Sequence, residues 1–210
     1  MKTLLALPLA LAFTVAAPAQ NGPGHLTMDR GFSAGGTVVL EMNVGDVQIL
    51  PGKGTQLRLE IKNGNGADPA AMASWVRRFD VAGDRATLEI QVPRDHQHCS
   101  DCSQGIDVTI YVPAHSDLKI KLGVGNLAIQ GVRGNKEADI DVGGLKIGYT
   151  PGEYGYIQTH AGIGDIHDPL NQGGSSGFLG KDEDFTLAGP DHLRASVGVG
   201  NVDLYEEGHS

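Results

Sequence analysis

A glycine-broken strand is written five times in this chain. Residues 43–49 read NVGDVQI, 123–129 read GVGNLAI, 141–147 read DVGGLKI, 162–168 read GIGDIHD and 198–204 read GVGNVDL. The shared form is any residue, then Val or Ile, Gly, a residue from Asp, Asn or Gly, and Val, Ile or Leu. The last four copies start 18, 21 and 36 residues apart. The widest gap spans about two periods, which predicts a degenerate copy near residue 180, within 177–189. Recurrence at about 20 residues is the mark of stacked supersecondary units. Glycine permits a positive φ, and Asp or Asn tolerates the left-handed region better than most residues. Each copy is therefore expected to be the corner of a rung, with Gly45, Gly125, Gly143, Gly164 and Gly200 at the bends. The repeated Val and Ile positions are expected to form ladders inside.

Between the corners the chain alternates with a period of two. In QLRLEIK (56–62), Leu57, Leu59 and Ile61 face one way and Arg58, Glu60 and Lys62 the other. Residues 86–92, 106–112 and 118–122 repeat this, so each reads as a strand with one buried and one wet face. One helix is predicted over 68–79. Asp68 is a good N-cap, Pro69 suits the first turn, and Met72, Trp75, Val76 and Phe79 make one apolar face. Trp75 reads as a core anchor.

The N-terminus is expected to be a secretory signal peptide, residues 1–19. Lys2 precedes a short apolar run, and Ala17-Pro18-Ala19 supplies small residues for cleavage before Gln20. No Cys follows that run, which disfavours a lipid anchor, and the run is short for a membrane span. Residues 20–36 read as an irregular lead-in, 37–206 as one β-repeat domain and 207–210 as a tail. The net charge of −9 leaves no electrostatic footprint for nucleic acid or anionic lipid.

The signal-like start, GGTVVLEMNVGDVQILPG (35–52), the Asp-Pro helix and the iterated strand–Gly-Asp/Asn–strand units resemble the bacterial putative adhesin family. So do SSGFLGKDEDFTLAG and LRASVGVGNVDL near the C-terminus. That family is a domain of unknown function, also called β-strand repeat-containing protein. The resemblance spans roughly residues 30–205. It implies an all-β fold with one short helix, as a right-handed β-solenoid or stacked-strand repeat outside the cytoplasm. It implies no established reaction.

The most chemical stretch is DHQHCSDCS, 95–103. His96, His98, Cys99 and Cys102 could supply two imidazoles and two thiolates to tetrahedral zinc, or to copper. A Cys99–Cys102 disulfide in an oxidising compartment, or free thiols, are the alternatives. Residues 173–177, GGSSG, mimic a nucleophile elbow but lack its strand–turn–helix setting. Gly123, Gly125 and Ala128 mimic a dinucleotide fingerprint without a βαβ unit. Asp46, Asn126, Asp165 and Asn201 invite a calcium reading, against a default of solvated turn residues. His160, His167 and His192 read as separate surface histidines, and 181–185 as a solvated acidic loop. With no acid/base or nucleophile set in a supporting context, the chain reads as a secreted, non-enzymatic surface module with no cofactor. Its partner would be an unknown protein or an envelope component. The alternative is a periplasmic metal-binding or envelope-sensing protein using residues 96–102.

Overall fold

The computed structural model describes residues 21–93, 105–170 and 179–208. Residues 1–19, read above as a signal peptide, residues 96–102 with their metal and disulfide readings, and residues 173–177 lie outside them. Among the described residues the chain is all-β with a single helix. Fourteen strands join in one sheet. No helix among them is long and apolar enough to cross a membrane.

Five rungs form the body. The first joins β2 (Thr37–Val44) to β3 (Asp46–Pro51), and the second joins β8 (Asp117–Val124) to β9 (Leu127–Ile129). Strands β10 (Lys136–Tyr149) and β14 (Asp191–Glu206) each run through a whole rung. The fifth rung joins β11 (Tyr154–Ile163) to β12 (Ile166–His167). Neighbouring rungs pair in parallel on both sides of the corner. Two walls result, one before the glycines and one after.

The burial pattern shows why the chain must turn there. Val38, Leu40 and Met42 are buried, and then Val47 and Ile49. Leu118, Ile120 and Leu122 are followed by Leu127 and Ile129, and Leu193, Ala195 and Val197 by Val202 and Leu204. The step across the corner is odd, whereas side chains in a straight strand alternate with a period of two. Both sets can enter one core only if the second wall folds over the first. All of them belong to one apolar cluster.

The remaining strands cover the ends. Strand β6 (Arg85–Ile90) pairs in parallel with β2, and β7 (Ile106–Val112) with β3. Antiparallel strands lie outside them. Strand β4 (Gln56–Asn63) pairs with β7, β1 (His25–Gly31) with β4, and β5 (Val76–Ala82) with β6. Helix α1 (Pro69–Trp75) touches both β1 and β5, so the two ends of the strand path meet and the sheet nearly closes like a barrel.

Several expectations are corrected here. A regular solenoid, with all-parallel rungs in chain order, is not shown. Strand β14 lies between β10 and β11, and antiparallel strands end the stack. The lead-in is not irregular, because residues 25–31 form β1. The copy expected near 180 is strand β13 (Leu179–Thr186), which pairs antiparallel with β11 and is no rung. Residues 181–185 therefore lie in a strand, not a loop, and Lys181 and Glu183 are buried.

The helix is also shorter than expected. The Asp68 carboxylate accepts from the Ala70 N–H at 2.7 Å, and Met72 and Trp75 are buried. At Val76 the backbone turns extended, and Phe79 enters the core from β5 instead. A short helix is costly to nucleate in isolation. Pairing with β6 gives residues 76–82 their backbone hydrogen bonds without extending it.

The corner glycines predict a test. Gly143 has φ +145°, and a Cβ there would lie 1.7 Å from the Gly125 carbonyl oxygen. Gly54 has φ +73° with open space around it. In denaturant unfolding, Gly143→Ala should cost more than about 3 kcal/mol, or prevent folding, because clash and strain add. Gly54→Ala should cost only about 1–2 kcal/mol, the left-handed penalty alone. Equal losses would show that φ, not the rung contact, sets the requirement.

Candidate interaction face

At each corner the strand ladder skips one position. Pairing stops at Met42, Leu122, Ile140, Val197 and Ala161 and resumes two residues later. The break turns the next residue outward. Val44, Val124, Val142, Val199 and Ile163 then stand in register, and Leu179 of β13 extends the row. Exposures are 49% for Val124, 44% for Val142, 45% for Val199, 39% for Ile163 and 68% for Leu179. Val44 is partly buried against the core. Six strands at ~4.8 Å spacing make this apolar stripe about 24 Å long.

The repeated Val and Ile positions are thus not all inside. Those after the glycine (Val47, Leu127, Leu145, Ile166, Val202) are buried, and those before it form the outer stripe. The signal was present in the sequence. The two positions lie three residues apart, an odd step that one face of a straight strand cannot hold.

Glycine flanks the stripe on both sides. A Cβ on Gly123 would lie 2.5 Å from the Asn43 carbonyl oxygen, and one on Gly198 would lie 2.6 Å from that of Asp141. On the other side Gly45, Gly125, Gly143, Gly200 and Gly164 have φ between +133° and +145° and stack on one another. The stripe has a continuous glycine strip on one side, while on the other Gly123, Gly198 and Gly162 share the flank with Asn43 and Asp141.

Beyond the glycines runs a polar ladder. The Asp46 carboxylate accepts from the Asn126 backbone N–H at 2.8 Å and from its side-chain amide at 2.9 Å. The Asn126 side-chain oxygen accepts from the Gly144 N–H, and that of Asn201 from the Asp165 N–H, both at 3.0 Å. Asp165 in turn accepts from the buried Lys181 ammonium at 2.6 Å. That hydrogen bond, with the lysine charge, holds the Asp165 carboxyl below its usual range. These side chains are exposed at the corners, as expected, and they also bond rung to rung. Among the described residues no group of three or more His, Cys, Asp or Glu could hold a metal ion.

The other candidate residues stay apart. The Nδ1 atom of His160 lies 2.6 Å from Asp182 Oδ1, and that of His167 lies 2.9 Å from Asp203 Oδ1. The His192 N–H donates to the Asn135 side-chain oxygen at 3.0 Å. Lys136 was not anticipated. Its side chain is fully buried, and its ammonium bonds the Tyr154 hydroxyl and lies 3.9 Å from Glu153. Burial lowers the lysine pKa and raises that of the tyrosine. Lys136 and Tyr154 are both buried.

No family model matches the chain, and no curated protein does. Among solved structures, a putative cell adhesion protein from Clostridium sporogenes ATCC 15579 matches with a TM-score of 0.50 at 13% identity, over 86% of this chain and 99% of that one. A putative adhesin from Bacteroides fragilis NCTC 9343 matches with a TM-score of 0.28 at 10% identity, over 86% and 97%. The first is a likeness of fold, and the second is too distant to bear on this chain.

The end of the polar ladder gives a pH test. Asp165 has a depressed folded pKa, so its stabilisation is present above the ordinary value of 3.8 and is lost as pH falls through the folded value. Asp165→Asn should lower the urea midpoint at pH 7. The gap to the natural chain should close in titrations taken below pH 3.8. A gap that persists unchanged in acid would mean that the Lys181 contact is not electrostatic.

Proposed function

We propose that this chain is an exported, adhesin-like module that works by binding through its corner face rather than by turnover. The apolar stripe carries the reading. The largest contiguous apolar patch on a folded monomer is often its functional surface. Here β-branched residues hold register across successive rungs, on a backbone too rigid to fold them away. The five rungs act as a solenoid-like core whose ends are covered by antiparallel strands.

Other observations support this reading. The fold is like that of a protein named for cell adhesion, and the first residues read as an export signal. Open depressions of ≈ 540 and ≈ 470 Å³ on the two walls are lined by outward strand side chains such as Gln48, Thr109, Lys119 and Glu137. Opposite charges in them neutralise one another, as in the 2.8 Å Lys119–Glu137 ion pair. The partner is a protein or envelope component that accepts an apolar ridge.

The test is retention of labelled protein on cell envelopes of the source organism. The paired change Val124→Ser and Val199→Ser should weaken retention tenfold or more, with the thermal midpoint little changed because both side chains are already half exposed. Control changes on the outer strands β5 and β6, Arg78→Ala and Arg85→Ala, should leave retention intact. Equal retention by all the variants would remove the corner face from the function.

A further inference from the structure

We infer that β13 is a detachable cover strand, and that the β11 edge beneath it is a site where an extended segment with apolar residues at alternate positions adds as a new strand. The site does not depend on the reading of the corner as an interaction face, and only Leu179 belongs to both.

The inward face of β13 is the first reason. Residues opposite one another in an antiparallel pair share a face. Phe185 lies opposite Ile157, Glu183 opposite Thr159 and Lys181 opposite Ala161. Ile157, Thr159 and Ala161 are fully buried, so β13 aims Glu183 and Lys181 into the core, where both are buried too. Phe185 is only partly buried. None of the three inward residues of β13 is a fully buried apolar side chain.

The other end of the stack shows a tight cover. On β4, Leu57, Leu59 and Ile61 are fully buried, with Leu59 opposite Ile110 and Ile61 opposite Val108. Strand β4 is paired again on its far side by β1. Among the described residues β13 pairs only with β11.

Charge loosens β13 further. A buried ion is costly unless a close and equally dry partner offsets it. The partner of Lys181 is Asp165, at 2.6 Å but 59% exposed, so water screens the pair. Under the same strand, burial and then the Glu183 charge raise the pKa of Asp168. One Asp168 carboxylate oxygen accepts from the Leu170 N–H at 2.7 Å, and the other is buried with no hydrogen-bond partner among the described residues. Two carboxyls therefore crowd the space that apolar side chains would fill in a tight cover. Inward charges keep the outer edge of β13 from pairing with other chains. The same device weakens its hold on β11.

Once β13 lifts, β11 presents the unpaired N–H and C=O groups of an end rung. Beside them, Ile157, Thr159 and Ala161 suit apolar partners better than a lysine and a glutamate. Strand addition at such an edge draws affinity from main-chain hydrogen bonds and specificity from alternate side chains.

Amide exchange followed by NMR on the whole chain at pH 7 measures the opening. The β13 amides should exchange at least about a hundredfold faster than those of β10, because a local opening needs less free energy than global unfolding. Lys181→Leu with Glu183→Leu should slow that exchange tenfold or more while keeping the strand circular-dichroism signal. Exchange in β13 as slow as in β10 would overturn the detachable strand. The probe for the site is a labelled synthetic peptide of residues 179–188 carrying Lys181→Val and Glu183→Val. It should bind one per chain, at least tenfold more tightly than the peptide of natural sequence. Gln158 and Asp184 lie opposite one another on the outer face. In a Cys99→Ser, Cys102→Ser background, the oxidised Gln158→Cys, Asp184→Cys chain should hold β13 down and lose peptide binding, and reduction should restore it. Fast β13 exchange without peptide binding, or binding that survives the lock, would overturn strand addition at β11. The Val124→Ser, Val199→Ser chain should bind the peptide as the natural chain does. Loss of binding there would place the peptide on the corner face and overturn the β11 site, whereas loss of envelope retention alone bears only on the corner.

Discussion

Backbone packed on backbone at the corner is the contact on which the rest of the structure depends. A Cβ on Gly143, Gly200 or Gly164 would lie 1.7 Å from the carbonyl oxygen of the neighbouring rung. No side chain fits there, and a positive φ disfavours one independently. Because all five corners carry glycine, five rungs stack at strand spacing through the bend as well as along the walls. Without the bend the odd step between Met42 and Val47, or between Leu122 and Leu127, would send half of each rung's apolar residues to solvent. The glycine ladder is thus the condition for one core between two walls.

The same bend fixes what is outside. The break in pairing before each glycine turns Val124, Val142, Val199 and Ile163 away from the core. The residues after it tie their side chains to the next rung. Asp46, Asn126 and Asn201 spend their side-chain oxygens on backbone N–H groups of neighbouring rungs, which would otherwise face water at the corner. The apolar stripe and the polar ladder therefore lie side by side on a stiff edge.

The ends of the stack need different solutions, since each end rung exposes unpaired strand groups. At one end the antiparallel strands β4, β1 and β5 and helix α1 bring the sheet path back on itself. At the other, β13 covers β11 and buries Lys181 and Glu183 there. Lys136, Tyr154 and Glu153 form a second buried polar group at the start of β10. Removing one member would leave a buried charge or hydroxyl without its partner.

Much of this was legible in the sequence. Period-two alternation placed β4, β7 and β8 to within a residue or two, and the Asp68-Pro69 pair marked the start of α1. Local chemistry determines these features: which side chains can share a strand face, which residue accepts an N-terminal amide, and where a positive φ is tolerated. What the sequence could not decide was which segments become neighbours. Strand β14 enters between β10 and β11, β13 runs backwards, and residues 76–82 leave the helix for β6. Each outcome depends on which partner offers unpaired backbone groups once the core has formed, and that is a property of distant segments. The outward stripe falls between the two. Its odd spacing was written in the repeat, but its register from Val44 to Leu179 came only from tertiary stacking, because only parallel rungs in contact turn five separate valines and isoleucines and a leucine into one continuous edge.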